Sequence, residues 1–162
     1  MMKLSFLFAG VLAAMPFGGA ARTDGPYDIK LLPTAAAPAA SGHARLVWAA
    51  SPFGVAVTAD GRARYDVQIT AAGMPCADSS STAACVAWAT STDLAKWVRL
   101  GTVVNGTTTV GHVDMNKFLL VITAERDSTT RTHDGPTVLH GTSPSGWLQT
   151  FLSHPLFRGL PP

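Results

Sequence analysis

Short runs of alternating apolar and polar residues, separated by turn dipeptides, occupy most of this sequence after residue 43. In the run GVAVTADGRARYDVQITAAG, the side chains of Tyr65, Val67 and Ile69 would share one face of a strand, and the polar residues between them would share the other. The dipeptide Asp60-Gly61 in the middle of this run is typical of hairpin turns. The alternation predicts half-buried antiparallel strands.

The later segments repeat this pattern. The run WVRLGTVV is followed by Asn105-Gly106 and TTTVGHV, which predicts a second hairpin, and KFLLVITAE is an almost continuous apolar run that predicts a strand buried on both faces. HARLVWAA, CVAWAT and GPTVLHG supply further short strands, and no segment shows a convincing helical period. We therefore predict an all-β fold, an antiparallel, immunoglobulin-like β-sandwich of seven or eight strands over residues 43–146.

The composition excludes several classes of protein. Hydrophobic residues make up 47% of the chain and charged residues 14%, which argues against disorder, and 162 residues suffice for one domain with a proper core. Twelve basic and ten acidic residues give a formal net charge of +2. This balance provides no electrostatic surface for nucleic acid or for an anionic membrane.

The N-terminal segment has the pattern of a secretory signal. Lys3 is followed by an apolar stretch, by Pro16 and two glycines, and by the small residues Ala20 and Ala21. Residues 1–21 are therefore predicted to be a signal peptide, which places the protein in the periplasm or outside the cell. The alternative is a retained N-terminal membrane anchor, because the apolar stretch approaches the length that a bilayer requires. Residues 22–42, rich in Pro, Ala and Gly, are predicted to form an extended linker or arm, in which Tyr27, Ile29 and Leu31 could add an edge strand.

The two cysteines, Cys76 and Cys85, enclose a loop of small and polar residues. They lack the close spacing and the nearby partners of a metal site, and they lack the C-x-x-C motif of a redox centre. In an exported protein such a pair is predicted to form a structural disulfide.

The order of four motifs, VAWAT, LGTVVNG, KFLLVITAE and GPTVLHG, resembles the extracytoplasmic C-terminal domain of bacterial anti-sigma-K factors and related secreted proteins. The resemblance covers residues 43–142 and implies a small sandwich. The chain departs from the family in lacking its cytoplasmic sigma-binding region and central membrane helix, and RDSTTRTHD replaces the family's Gly/Pro-rich loop. The resemblance thus implies an envelope domain that binds or senses a ligand, and not an anti-sigma factor.

Chemical activity has little support in the sequence. Asp134, His140 and Ser143 are the one nearby trio that could be drawn as a hydrolase triad, but no G-x-S-x-G motif accompanies them, so we expect no catalytic residues and no cofactor. Glu125, at a strand end, is expected to hydrogen-bond a neighbouring loop. The alternative chemical hypothesis is a periplasmic copper-binding protein. Its candidate ligands are His112, Met115, His133 and His140.

The C-terminal segment, residues 147–162, is apolar and carries few charges. Its pattern allows one or two helical turns before Pro155, and the segment is predicted either to cover the sandwich or to dock into a partner. The partner-binding candidates are Trp147, Leu148, Phe151, Leu152, Leu156 and Phe157. We predict a non-enzymatic exported interaction module, an accessory subunit of an envelope or membrane complex, which contacts the membrane only through its partner or a retained N-terminal segment. A ligand-sensing domain is the second alternative.

Overall fold

The computed structural model describes residues 27–52, 56, 58–59, 62–77, 81–115 and 117–144. The predicted signal peptide and the predicted docking tail lie outside these residues. No helix of the described part is long and apolar enough to cross a membrane.

Eight antiparallel strands and almost no helix form the described part of the chain, which confirms the predicted all-β class. The strands are β1 (Asp28–Pro33), β2 (Ser41–Trp48), β3 (Tyr65–Ala72), β4 (Ala84–Ser91), β5 (Trp97–Val103), β6 (Gly106–Val113), β7 (Phe118–Glu125) and β8 (Thr137–Thr142). A single turn of 3₁₀ helix, Pro75–Ala77, precedes β4.

The strands form one continuous sheet in the order β5-β4-β7-β8-β1-β2-β3-β6. Strand β1 joins its two halves, because Asp28 to Leu31 pair with β2 whereas Leu32 and Pro33 pair with β8. One face of each half contributes to a single apolar core, which contains Leu31, Ile69 and Ile122. The sheet thus folds into a two-layered or barrel-like body around that core.

The segment predicted to be an extended arm belongs in part to this sheet. Strand β1 lies between β8 and β2, and Ile29 and Leu31 are 1% and 3% exposed. The expected edge strand is therefore an interior strand, and the folded domain begins before the predicted boundary at residue 43. The physical reason is that these two side chains complete the core between the halves.

Backbone hydrogen bonds join the chain before residues 60–61 to the chain after them, as the first predicted hairpin requires. The Thr58 amide donates to the Arg62 carbonyl at 2.8 Å, and the Arg64 amide donates to the Ala56 carbonyl at 2.9 Å. Strand β3 then alternates as predicted, with Val67 and Ile69 fully buried and the residues between them partly exposed.

The second predicted hairpin, across Asn105-Gly106, is wrong. Strands β5 and β6 follow one another in the chain but lie at opposite ends of the strand order, β5 beside β4 and β6 beside β3. The Asn105 side chain accepts from the Met74 amide at 3.1 Å and donates to the Met74 carbonyl at 3.3 Å. These bonds fix the turn to the end of β3, so the chain crosses to the other half of the sheet instead of folding back on β5.

Strands β4 and β7 are buried on both faces, as the continuous apolar run of β7 predicted. They pair over their full lengths, Ala84 with Glu125 through Ser91 with Phe118. Their inner residues belong to the core, and their outer residues, which include Val86 and Trp88, are also buried.

Cys76 and Cys85 form the predicted disulfide, with their Cα atoms 5.2 Å apart. It ties the segment after β3 to the start of β4, and both residues are buried. The bond thus links the two halves of the sheet where the chain passes from one to the other, which agrees with a structural role.

Removal of the disulfide by a Cys76→Ala/Cys85→Ala double substitution is expected to lower the free energy of unfolding by about 2–3 kcal/mol, because the unfolded chain loses a crosslink over a short loop. Urea denaturation with and without dithiothreitol measures this. The reductant should destabilise the native sequence and leave the double variant unchanged. An equal midpoint for the oxidised native protein and the variant would contradict the expectation.

Candidate functional site

Three aromatic residues gather at one end of the sheet. We call Tyr27, Trp48 and Tyr65 the aromatic end. Trp48 ends β2 opposite Tyr65, which begins β3, and Tyr27 directly precedes β1. The ring centroids of Trp48 and Tyr65 are 4.7 Å apart, and that of Tyr27 lies 6.5 Å and 6.1 Å from them. These are the distances of a packed aromatic cluster.

The aromatic end is held in place by its own strands. Leu46 donates its amide hydrogen to the Tyr27 carbonyl at 2.8 Å, and Ala49 donates to the Arg64 carbonyl at 3.1 Å. Both tyrosine rings pack against the core, whereas Trp48 is 42% exposed. The cluster is therefore a rigid platform with its indole open to solvent.

Burial and the neighbouring Tyr27 raise the pKa of the Tyr65 hydroxyl above its usual value. The hydroxyl group is therefore neutral and available as a hydrogen-bond donor at physiological pH. Among the described residues, no other group forms a hydrogen bond with the side-chain polar atoms of the aromatic end. Rings with apolar bodies and available polar atoms are the side chains most enriched at protein interfaces.

A second cluster lies on the outer face of β4 and β7, beneath the loop that joins β7 to β8, residues 126–136. The Trp88 indole N–H donates to the Thr123 hydroxyl at 2.8 Å, and that hydroxyl donates to Glu125 Oε1 at 2.6 Å. The Gly135 amide donates to Glu125 Oε2 at 3.0 Å. Glu125 thus hydrogen-bonds the neighbouring loop, as its position at a strand end predicted.

Gly135 is required at this point because a Cβ there would overlap the carbonyl oxygen of Ala124. The next residue, Pro136, accepts a hydrogen bond from the Ala124 amide at 2.9 Å through its carbonyl. The Gly-Pro dipeptide therefore lets the loop lie directly on β7, so that the buried Glu125 carboxylate, 4% exposed, accepts hydrogen bonds from protein donors instead of from water.

The middle of the 126–136 loop contacts the sheet through His133. Its imidazole stacks on Trp97, with ring centroids 3.7 Å apart and planes 21° apart, and meets the edge of Trp88 at 5.9 Å. Arg99 donates a hydrogen bond to the Ser128 carbonyl. The loop therefore serves as a cover for the outer face of β4 and β7, and its contacts explain why both faces of these strands are buried.

The four copper-ligand candidates occupy separate environments. His112 contacts the Asp66 carboxylate on the outer face of β6, and His133 is stacked on Trp97. Met115 packs into the core with 9% exposure, and His140 is exposed on β8. In the described ranges, no group of three or more His, Cys, Asp or Glu side chains is placed to hold a metal ion.

The three residues that could be drawn as a hydrolase triad also occupy different environments. The Ser143 hydroxyl is buried and accepts the Phe118 amide hydrogen at 3.0 Å, while the Ser143 amide donates to the Phe118 carbonyl at 2.9 Å. Asp134 and His140 are exposed. Ser143 therefore closes the end of the β7–β8 ladder. The six partner-binding candidates of the tail, Trp147, Leu148, Phe151, Leu152, Leu156 and Phe157, lie outside the described residues.

Sequence reasoning did not single out the aromatic end. The sequence pattern places Tyr27 in the predicted arm, and it places Trp48 and Tyr65 in predicted strands without indicating a role for their rings. The signal that could have found it is the order of the strands: when β2 pairs with β3 as consecutive antiparallel strands, the end of β2 lies near the start of β3, which brings Trp48 close to Tyr65.

No model of a known protein family, no curated protein and no solved structure matches this chain. The resemblance to the extracytoplasmic domain of anti-sigma-K factors therefore stays a prediction.

Substitution of Glu125 by Ala is expected to lower the free energy of unfolding by about 2–4 kcal/mol, because the buried Thr123 hydroxyl and Gly135 amide would lose their acceptor. Glu125→Gln keeps one acceptor oxygen and should lose less. Urea denaturation measures both, and hydrogen exchange at residues 126–136 should accelerate in the alanine variant. Arg131→Ala, an exposed change in the same loop, is the control, expected within about 0.5 kcal/mol of the native protein. Equal losses for Glu125→Ala and Arg131→Ala would contradict the role of the carboxylate.

Proposed function

We propose that this protein is an exported, non-enzymatic interaction module, an extrinsic accessory subunit of a bacterial envelope or membrane complex, in the periplasm or outside the cell. The observation that carries the proposal is the aromatic end, where Trp48 is 42% exposed on two packed tyrosines. Tryptophan and tyrosine on a rigid support are the residues that most often dominate the energy of protein binding.

Export is supported by two independent features. The N-terminal residues follow the pattern of a secretory signal, and the Cys76–Cys85 disulfide is compatible with an oxidising compartment. A disulfide buried at the junction of the two halves is of use only where it persists, which favours a location outside the cytoplasm.

The chemistry of the aromatic end favours a protein partner with a weakly charged, apolar surface. The three rings offer aromatic faces, two hydroxyl groups and one indole N–H, a combination that suits an apolar surface edged by backbone carbonyls. Because the rings are already packed on one another, little side-chain entropy is lost on binding. The predicted tail, residues 147–162, would add a second contact to the same partner.

A pull-down from the membrane fraction, followed by mass spectrometry, tests the proposal. We expect Trp48→Ser to reduce recovery of the partner at least tenfold, since an interface loses most of its affinity when a central tryptophan is removed. Truncation after Gly146 should also reduce recovery while leaving the domain folded. The matched control is Val104→Ser, which removes an apolar side chain that is 51% exposed in the turn between β5 and β6.

The comparison also requires that both variants are folded. Circular dichroism should show unchanged folding for Trp48→Ser and Val104→Ser. If Trp48→Ser and the truncation both recover as much partner as Val104→Ser, the aromatic end is not an interface and the proposal fails.

A further inference from the structure

An open groove crosses the outside of the sheet where β5 and β6 lie side by side without pairing. Its volume is about 460 Å³, within the range of sites that hold small ligands. Strand β5 contributes Arg99, β6 contributes Gly111 and His112, and the residues around the first hairpin and the end of β6 complete the lining. The lining residues are Thr58, Arg64, Arg99, Gly111, His112 and Asp114.

The carboxylates near this groove have side-chain partners, whereas two of its arginines have no ion-pair partner in the described part of the chain. Arg62 lies 3.9 Å from the Asp114 carboxylate, and the His112 imidazole contacts the Asp66 carboxylate, so both carboxylates are already engaged by neighbouring side chains. Arg64 has no ion-pair partner among the described residues. Arg99 donates to the backbone carbonyl of Ser128, which satisfies one hydrogen bond and leaves its positive charge uncompensated.

Two guanidinium groups facing one groove form a site for an oxyanion. Guanidinium presents several N–H donors in a plane, and pairs of them bind carboxylate or phosphate with shorter and stronger hydrogen bonds than neutral donors form. Gly111 lets β6 approach β5 closely, because a Cβ there would overlap the Leu100 carbonyl oxygen. The groove, at about 460 Å³, is larger than an inorganic ion needs.

We propose that this groove binds a small organic anion through its carboxylate or phosphate group, which is held between Arg64 and Arg99. The neutral part of the ligand lies along β6 at Gly111. The site is separate from the aromatic end, and this inference does not rest on the proposed protein interaction. It gives the domain a means of sensing a soluble ligand on the face where its two edge strands meet.

An NMR titration with sodium phosphate and, separately, with sodium acetate tests the site. The ionic strength is held constant with sodium chloride, so that general screening does not contribute. We expect saturable shifts of the backbone amide signals of Arg64, Gly111 and His112 with at least one of the two probes. Saturable shifts with phosphate alone would indicate a phosphate ligand, and saturable shifts with acetate alone would indicate a carboxylate ligand.

Arg64→Gln is the decisive variant, because this exposed side chain makes no ion pair in the described part of the chain. It should weaken binding of the probe at least tenfold, and Arg99→Gln should do the same. Lys30→Gln removes one positive charge from β1, which β2 and β3 separate from β6, and should change the affinity by less than twofold. Unsaturable shifts with both probes, or equal affinities for Arg64→Gln and Lys30→Gln, would overturn the proposal.

Discussion

Strand β1 is the element on which the rest of the structure depends, because it pairs with both halves of the sheet. Its first four residues pair with β2 and its last two with β8. Gly141 of β8 makes this crossing possible, since a Cβ there would overlap the Lys30 carbonyl and the Ile29 side chain. Ile29 and Leu31 fill the space between the halves, so β1 fixes how the two halves are joined.

The two halves differ in how their outer faces meet the solvent. The outer face of β4 and β7 is covered by the 126–136 loop, which is fastened by Glu125 at one end and by His133 in its middle. The outer face of β2, β3 and β6 remains open and carries polar residues such as Gln68, Thr70 and Thr109. Surfaces available for binding are therefore found at the aromatic end and along β5 and β6.

The sequence predicted local structure well and long-range pairing less well. The alternation of Val67 and Ile69, and the unbroken apolar run of β7, follow from the period of a strand, which is a local property. The position of Glu125 against a loop was also predictable. The partners of β5 and β6 were not, because Asn105-Gly106 permits a tight hairpin, whereas in the structure the Asn105 side chain contacts the distant Met74 and β6 pairs with β3.

The candidate sites also differ in how far the local sequence predicts them. The disulfide could be predicted because the chain has only two cysteines, and its N-terminal pattern predicts an oxidising compartment. The aromatic end and the groove depend on strand order, which places Tyr27 beside Trp48, and Arg99 of β5 beside His112 of β6. No local pattern in the sequence connects these residues.

The fold and both candidate sites depend on the strand order, which can be checked by cross-strand proton contacts in nuclear Overhauser spectroscopy. The strand order predicts contacts between Leu32 and His140, between Lys30 and His43, and between Thr70 and Thr107. A ladder of contacts between β5 and β6 in register about Asn105-Gly106, with none between β1 and β8, would contradict it.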